Sequence, residues 1–199
     1  MSPGRRSTRS TRKILRDLYD PSAPVRWAAV QELGDWAEAR WPESSENVRD
    51  LVRRLAWSLN DESGATGWGA PEAMAEILAR IPDLRIGFAS LYPAYLSHED
   101  VYLGHEVLDT GSLWALGRLG PDAPFGGPDL VALIRPFLSH EAPEVRGTAA
   151  WATGRLGLTD LRDDLVALDG DPSPVFLLVD GEVDVRTLEE LARDALAAL

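Results

Sequence analysis

Cysteine is absent from all 199 residues. That excludes a disulfide framework, a thiolate nucleophile and any thiolate metal site. Lysine occurs once, at Lys13, against 19 arginines. Only three histidines and two methionines are present. No apolar run approaches the roughly 20 residues needed to span a bilayer, so no membrane partner is expected. The stretch Met1–Arg16 has no apolar segment of the signal-peptide kind, and a cytoplasmic location is the expectation. No Walker loop, HExxH pattern or Ser-His-Asp order appears, and no catalytic residue is assigned.

Apolar residues make up 45% and charged residues 26%, which suits a folded domain with a sizeable core. The charge is unevenly placed. Arg5, Arg6, Arg9, Arg12, Lys13 and Arg16 give the first 16 residues +6 with no acid, so the remaining 183 residues carry −12 − 6 = −18. Residues 1–7 are expected to be a basic, disordered tail. An acidic body disfavours duplex nucleic acid, whose affinity rests on neutralised phosphates.

A seven-residue phrase occurs twice. Trp114-Ala-Leu-Gly-Arg-Leu-Gly120 returns 37 positions later as Trp151-Ala-Thr-Gly-Arg-Leu-Gly157, and a looser copy, Ile77-Leu-Ala-Arg-Ile-Pro82, lies 38 positions before the first. Asp20-Pro-Ser-Ala-Pro-Val-Arg-Trp-Ala-Ala-Val-Gln-Glu-Leu-Gly34 has the spacing of His140-Glu-Ala-Pro-Glu-Val-Arg-Gly-Thr-Ala-Ala-Trp-Ala-Thr-Gly154, 120 positions on. The turn ahead of a helix also repeats, as Tyr95-Leu-Ser-His-Glu99 and Phe137-Leu-Ser-His-Glu141. A period in the high thirties with helical content marks stacked helix pairs, because one pair cannot bury its apolar face alone. These residues resemble the HEAT family in the short variety also called PBS-lyase HEAT-like, with the pattern D-P-x-x-x-V-R-x-x-A-x-x-x-L-G. The first and fourth units match it; residues 41–120 depart from it. The resemblance implies an α-solenoid with a ligand-binding concave face and no particular activity.

The expected fold is therefore all-α: about four HEAT-like helix pairs over residues 8–170, then a β-hairpin and capping helix over 171–199. Helices are expected over about 8–19, from Pro24 to Arg40, Glu46–Leu59, from Pro71, Asp83–Leu96, Val101–Leu119, 128–139, 142–156 and 160–168. Val175–Val179 and Glu182–Val185 around Asp180-Gly181 read as a hairpin. Thr187 with Glu190 reads as a capping box opening the last helix.

The candidate binding residues come from the repeat register. Glu72, Asp109 and Arg146 fall at matching positions near inner-helix starts. They suggest an acid–arginine ladder between repeats or a polar concave floor, and acids there suit the helix dipole. Trp68, His105 and Glu106 join that floor. Asn60, Asp61 and Glu62 edge it from Asn60-Asp-Glu-Ser-Gly-Ala-Thr-Gly-Trp-Gly-Ala70, a glycine-rich insertion that either falls on the binding face of a solenoid or plugs a gap between repeats as an Ω-loop. Trp114 and Trp151 read as inter-repeat core, with Gly117 and Gly154 either permitting close helix approach or marking the helix C-terminal region.

All three histidines precede glutamate, which invites comparison with deoxyhypusine hydroxylase, a HEAT-repeat enzyme holding two irons through His-Glu pairs. His98 and His140 belong instead to the duplicated Leu-Ser-His-Glu turn, leaving only His105-Glu106 near an inner-helix start. The expectation is a non-catalytic scaffold holding a protein or peptide, with no cofactor. The rival is a metal-dependent oxygenase or lyase using His105, Glu106, Glu62 and Glu72. A HEAT-type DNA base-repair reading is set back by the acidic body. Oligomeric state is not legible in the chain.

Overall fold

The computed structural model describes residues 10–59, 68–98, 102, 104–127, 129–179 and 182–199. The chain divides into two compact units, Met1–Phe88 and Ala89–Leu199. The described residues are mainly helical, with one two-stranded antiparallel sheet.

The first unit holds α1 (Thr11–Asp17), α2 (Ala23–Arg40), α3 (Ser45–Ser58), α4 (Ala70–Arg80) and the short α5 (Arg85–Phe88). Helix α2 opens with Pro24 in its first turn, where a missing N–H costs nothing. Helix α3 turns Val48, Leu51, Val52 and Leu55 inward, while Arg53 bonds Glu46 and Asp50 on the opposite, exposed side. Helix α4 packs against both α2 and α3 and is buried from Ala70 to Leu78. Gly69 enters it with φ +74°, where a Cβ would lie 2.7 Å from the Leu18 carbonyl oxygen.

The second unit holds α6 (Leu91–Leu96), α7 (Glu106–Leu119), α8 (Leu130–Leu138), α9 (Pro143–Leu156), α10 (Arg162–Val166), β1 (Pro174–Val179), β2 (Glu182–Thr187) and α11 (Leu188–Ala198). Helix α7 packs on α9, and α9 on α11. Two glycines make the close approach: a Cβ at Gly117 would meet Trp151 Cζ3 at 2.4 Å, and one at Gly154 would meet Ala195 Cα at 2.7 Å. Trp114 is fully buried and stacks on Trp151 with 6.3 Å between ring centroids. Its indole N–H donates to the Leu178 carbonyl at 2.9 Å, which ties the hairpin to α7. Strands β1 and β2 pair with Phe176 opposite Val185. The capping box is present: Thr187 Oγ1 accepts from Glu190 N, and Glu190 Oε2 accepts from Thr187 N.

The structure differs from the expected elements in two places. The helix expected over Asp83–Leu96 is three pieces, a 3-10 turn at Pro82–Leu84, then α5 and α6. The chain restarts at Leu91 because Pro93 has no N–H to donate and sits in a first turn without loss. Helix α7 begins at Glu106, capped by His105. The hairpin turn Asp180-Gly181 lies outside the described residues.

Candidate functional site at the helix starts

The polar groups expected to form a floor do sit at helix starts, with partners that the repeat register does not foretell. In the first unit Glu72 stands in the first turn of α4 and is 6% exposed. Its Oε2 has no hydrogen-bond partner. Burial pushes its carboxyl up to about 7, against the pull of its own backbone N–H and of the Arg26 guanidinium. Trp68, half-buried, lies just ahead of α4. Asn60, Asp61 and Glu62 lie outside the described residues.

In the second unit Asp109 is 2% exposed in the first turn of α7. Tyr102 O–H donates to its Oδ2 at 3.2 Å, and its Oδ1 has no partner. Burial raises its carboxyl above the ordinary range, opposed by Tyr102 and by the charges of His140, His105 and His98. All three histidines of the chain therefore act on this one carboxyl. His98 lies against Tyr102, 3.9 Å between ring centroids. Glu106 is exposed. Two further buried hydroxyls without partners, Ser112 Oγ and Thr148 Oγ1, belong to α7 and α9. Among the described residues no group of three or more His, Asp or Glu is placed to hold a metal.

The tautomers of two histidines follow from their partners. His105 Nδ1 accepts from Val107 N at 3.3 Å, and His140 Nδ1 accepts from Ala142 N at 3.1 Å. In each neutral ring the proton is therefore on Nε2. A metal-ligating imidazole usually donates through its other nitrogen to an acceptor; here that nitrogen is itself the acceptor. Both rings act as caps through Nδ1.

The acid–arginine ladder is not what Arg146 builds. Its Nη2 pairs with Asp171 Oδ2 at 2.7 Å, and its Nη1 donates to the carbonyls of His140 and Glu141 at 2.8 Å each. The side chain reaches back over the turn before its own helix, so Tyr102 and not Arg146 holds Asp109. Arg26, its counterpart in the repeated Val-Arg pair, does the same: Nη1 donates to the carbonyls of Asp20 and Pro21 at 2.8 and 2.9 Å. The acceptor ahead of each helix also matches. Asp20 Oδ1 takes the Ser22 N–H at 2.9 Å, where His140 Nδ1 takes that of Ala142. A third such turn precedes β1, where Asp171 Oδ1 takes the Ser173 N–H at 2.9 Å. Bonds from Ser173 and from Arg146 hold Asp171 down at about 2.

The repeat register places Glu72, His105, Glu106, Asp109 and Arg146 at helix starts, where the structure also has them. It misses Tyr102, Asp171, Ser112 and Thr148, and it misses the capping role of His140. The last was findable, because His140 aligns with Asp20, a residue type that caps turns through its side chain.

No family model matches the chain. The chain is 35% identical over 190 residues to an uncharacterized protein of Archaeoglobus fulgidus, spanning 92% of this chain and 95% of that one. It belongs to the same family as that archaeal protein. No helix among the described residues is long and apolar enough to cross a membrane.

Proposed function

We propose that the chain is a HEAT-like repeat protein of about four stacked helix pairs, closed by the hairpin and α11, that holds a protein or peptide partner at its helix starts without catalysing a reaction. The observation that carries this reading is the repeated turn clamp. Arg26 and Arg146, 120 positions apart, grip the same pair of turn carbonyls ahead of α2 and α9. Local repetition of backbone, cap and arginine is what a stacked-repeat architecture produces, because every unit solves the same burial problem. In each unit a helix start carries a buried polar atom without a partner, Glu72 Oε2 in one and Asp109 Oδ1 in the other, of the kind that a partner's donors satisfy. An acidic chain, −12 overall, favours a partner with basic groups and disfavours nucleic acid. A cytoplasmic location belongs to the same proposal.

The test is affinity capture from extract of the native host with the wild-type chain beside Glu72→Gln and Asp109→Asn. Both variants should keep the wild-type circular dichroism. A stoichiometric partner retained by wild type and lost by either variant supports the reading. Equal capture by all three places the binding surface elsewhere. Iron or zinc found at one equivalent after dialysis would instead favour the metal-dependent oxygenase or lyase.

A further inference from the structure

We propose that the helix-start edge of the second unit is an acid-operated latch: protonating His105 and His140 removes the acceptors that cap α7 and the turn before α9, while the matching carboxylate-capped turns stay closed.

Imidazole accepts a hydrogen bond only through an unprotonated nitrogen, and imidazolium is a donor at both positions. His105 Nδ1 receives the Val107 N–H, and His140 Nδ1 receives the Ala142 N–H. Taking up a proton turns each acceptor into a second donor pointed at a donor, so both caps are lost together. An ordinary imidazole makes this change near pH 6.5, within the cellular range. Asp20 and Asp171 close equivalent turns with carboxylate oxygens, and the Asp171 carboxyl is held down at about 2.

Among the described residues, charged groups of both signs lie near the two caps. Asp109, from the first turn of α7, feels the charges of all three histidines, which pull its carboxyl down against its burial. Glu106, next to His105, and Glu141 and Glu144, near His140, are exposed acids. Arg146 grips the His140 carbonyl and pairs with Asp171. His98 lies against Tyr102, and its charge acts on Asp109. The histidine content is spent entirely on this edge.

The experiment is amide hydrogen exchange by NMR from about pH 7.5 to about pH 5, corrected for the intrinsic pH dependence of exchange. Protection of the Val107 and Ala142 amides should fall about fivefold or more, the equivalent of one helix cap each. Ser22 and Ser173 should hold theirs. The paired variant His105→Asp with His140→Asp should abolish the fall, and Asp20→His should transfer it to Ser22. Where a carboxylate beside Asp109 prevents folding, the pair His105→Asn with His140→Asn takes its place, since the amide oxygen accepts and does not titrate. Unchanged protection of Val107 and Ala142 across the range overturns the latch. So does a fall that persists in either paired variant. No partner is needed, so failure here leaves the binding proposal standing, and the reverse holds.

Discussion

Four residues before the repeated arginine, the first unit places Glu76 and the second places Trp151. Trp114, one repeat earlier in the second unit, holds the same position. The seam is thus ionic in one unit and aromatic in the other. In the first, Arg80 Nε bonds Glu76 at 2.7 Å and its Nη1 reaches Asp35 and Glu38 on α2. In the second, Trp114 lies flat against Trp151 across α7 and α9. Glycine makes room in both: a Cβ at Gly34 would sit 2.8 Å from Arg80 Nε, and one at Gly117 would sit 2.4 Å from Trp151. What repeats is therefore the backbone approach and the turn clamp, while the chemistry filling the seam is free to differ. The two seams should answer differently to truncation, to pH and to salt.

The largest effect should come from Trp114→Ala. The side chain is fully buried, stacks on Trp151 and donates to Leu178. Emptying that site should cost about 3–5 kcal/mol and loosen the hairpin, because the carbonyl it serves loses its donor. Urea denaturation measures the loss, and exchange of the β1 amides reports the hairpin. A loss below about 1 kcal/mol would mean the aromatic seam is not the main closure of the second unit.

Next in size is the buried acid of the first unit. The folded state holds Glu72 near pH 7 against an ordinary 4.5, so it binds the proton more tightly than the unfolded chain does. Its contribution is full below about pH 4.5 and is lost as pH rises through about 7. The loss amounts to about 3 kcal/mol at pH 8. Glu72→Gln should therefore be more stable than wild type at pH 8 and indistinguishable at pH 4. Arg26→Ala should push the Glu72 titration higher still, since Arg26 now pulls it down. Asp109→Asn should act in the same direction in the second unit. Stability curves at several pH values check all three, and a wild-type curve flat from pH 5 to 8 would contradict them.

Much of this frame is legible in the residues alone. The duplicated Trp-Ala-x-Gly-Arg-Leu-Gly phrase locates α7 and α9, and of the two readings open for its glycine the structure shows the close approach. Asp180-Gly181 and Thr187 with Glu190 locate the hairpin and the last helix through local turn and cap chemistry. The pairings of the site are not legible. Arg146 finds Asp171 25 residues on, and Asp109 finds a tyrosine from the approach to its own helix, choices that local periodicity does not encode. The break between α5 and α6 is hidden because apolar spacing runs on across Ala89 and Ser90 while Pro93 sets the restart.

Arg80→Ala should come third, at about 2–3 kcal/mol. Glu76 is 4% exposed, so removing its cation leaves a buried charge without its arginine, the larger part of the penalty. Asp35 and Glu38 are more exposed and contribute little. A double-mutant cycle with Glu76→Gln isolates the pair. A coupling near zero would make the ionic seam a surface decoration and leave packing of α4 on α2 as the real closure.

The smallest expected effect sharpens the comparison most directly. Arg155 follows Trp151 by one helical turn, as Arg80 follows Glu76, and its guanidinium lies 5.9 Å from the Trp151 ring centroid. The same arginine thus meets a carboxylate in one unit and an indole face in the other. Arg155 is exposed, where a cation over an aromatic ring is worth about 0.5–1 kcal/mol. Arg155→Ala should therefore cost about 0.5 kcal/mol, a fraction of the Arg80→Ala loss, and Arg155→Lys should recover part of it. Raising salt to about 1 M should weaken the Arg80 contribution, which includes half-exposed ion pairs, and leave that of Arg155 nearly unchanged, because stacking area persists when charge is screened. Parallel urea titrations of the two alanine variants at low and high salt make the measurement. Equal costs with equal salt dependence would show that the arginine serves both units through its alkyl stem alone, and the distinction between an ionic and an aromatic seam would then rest on Glu76 and Trp114 without their arginines.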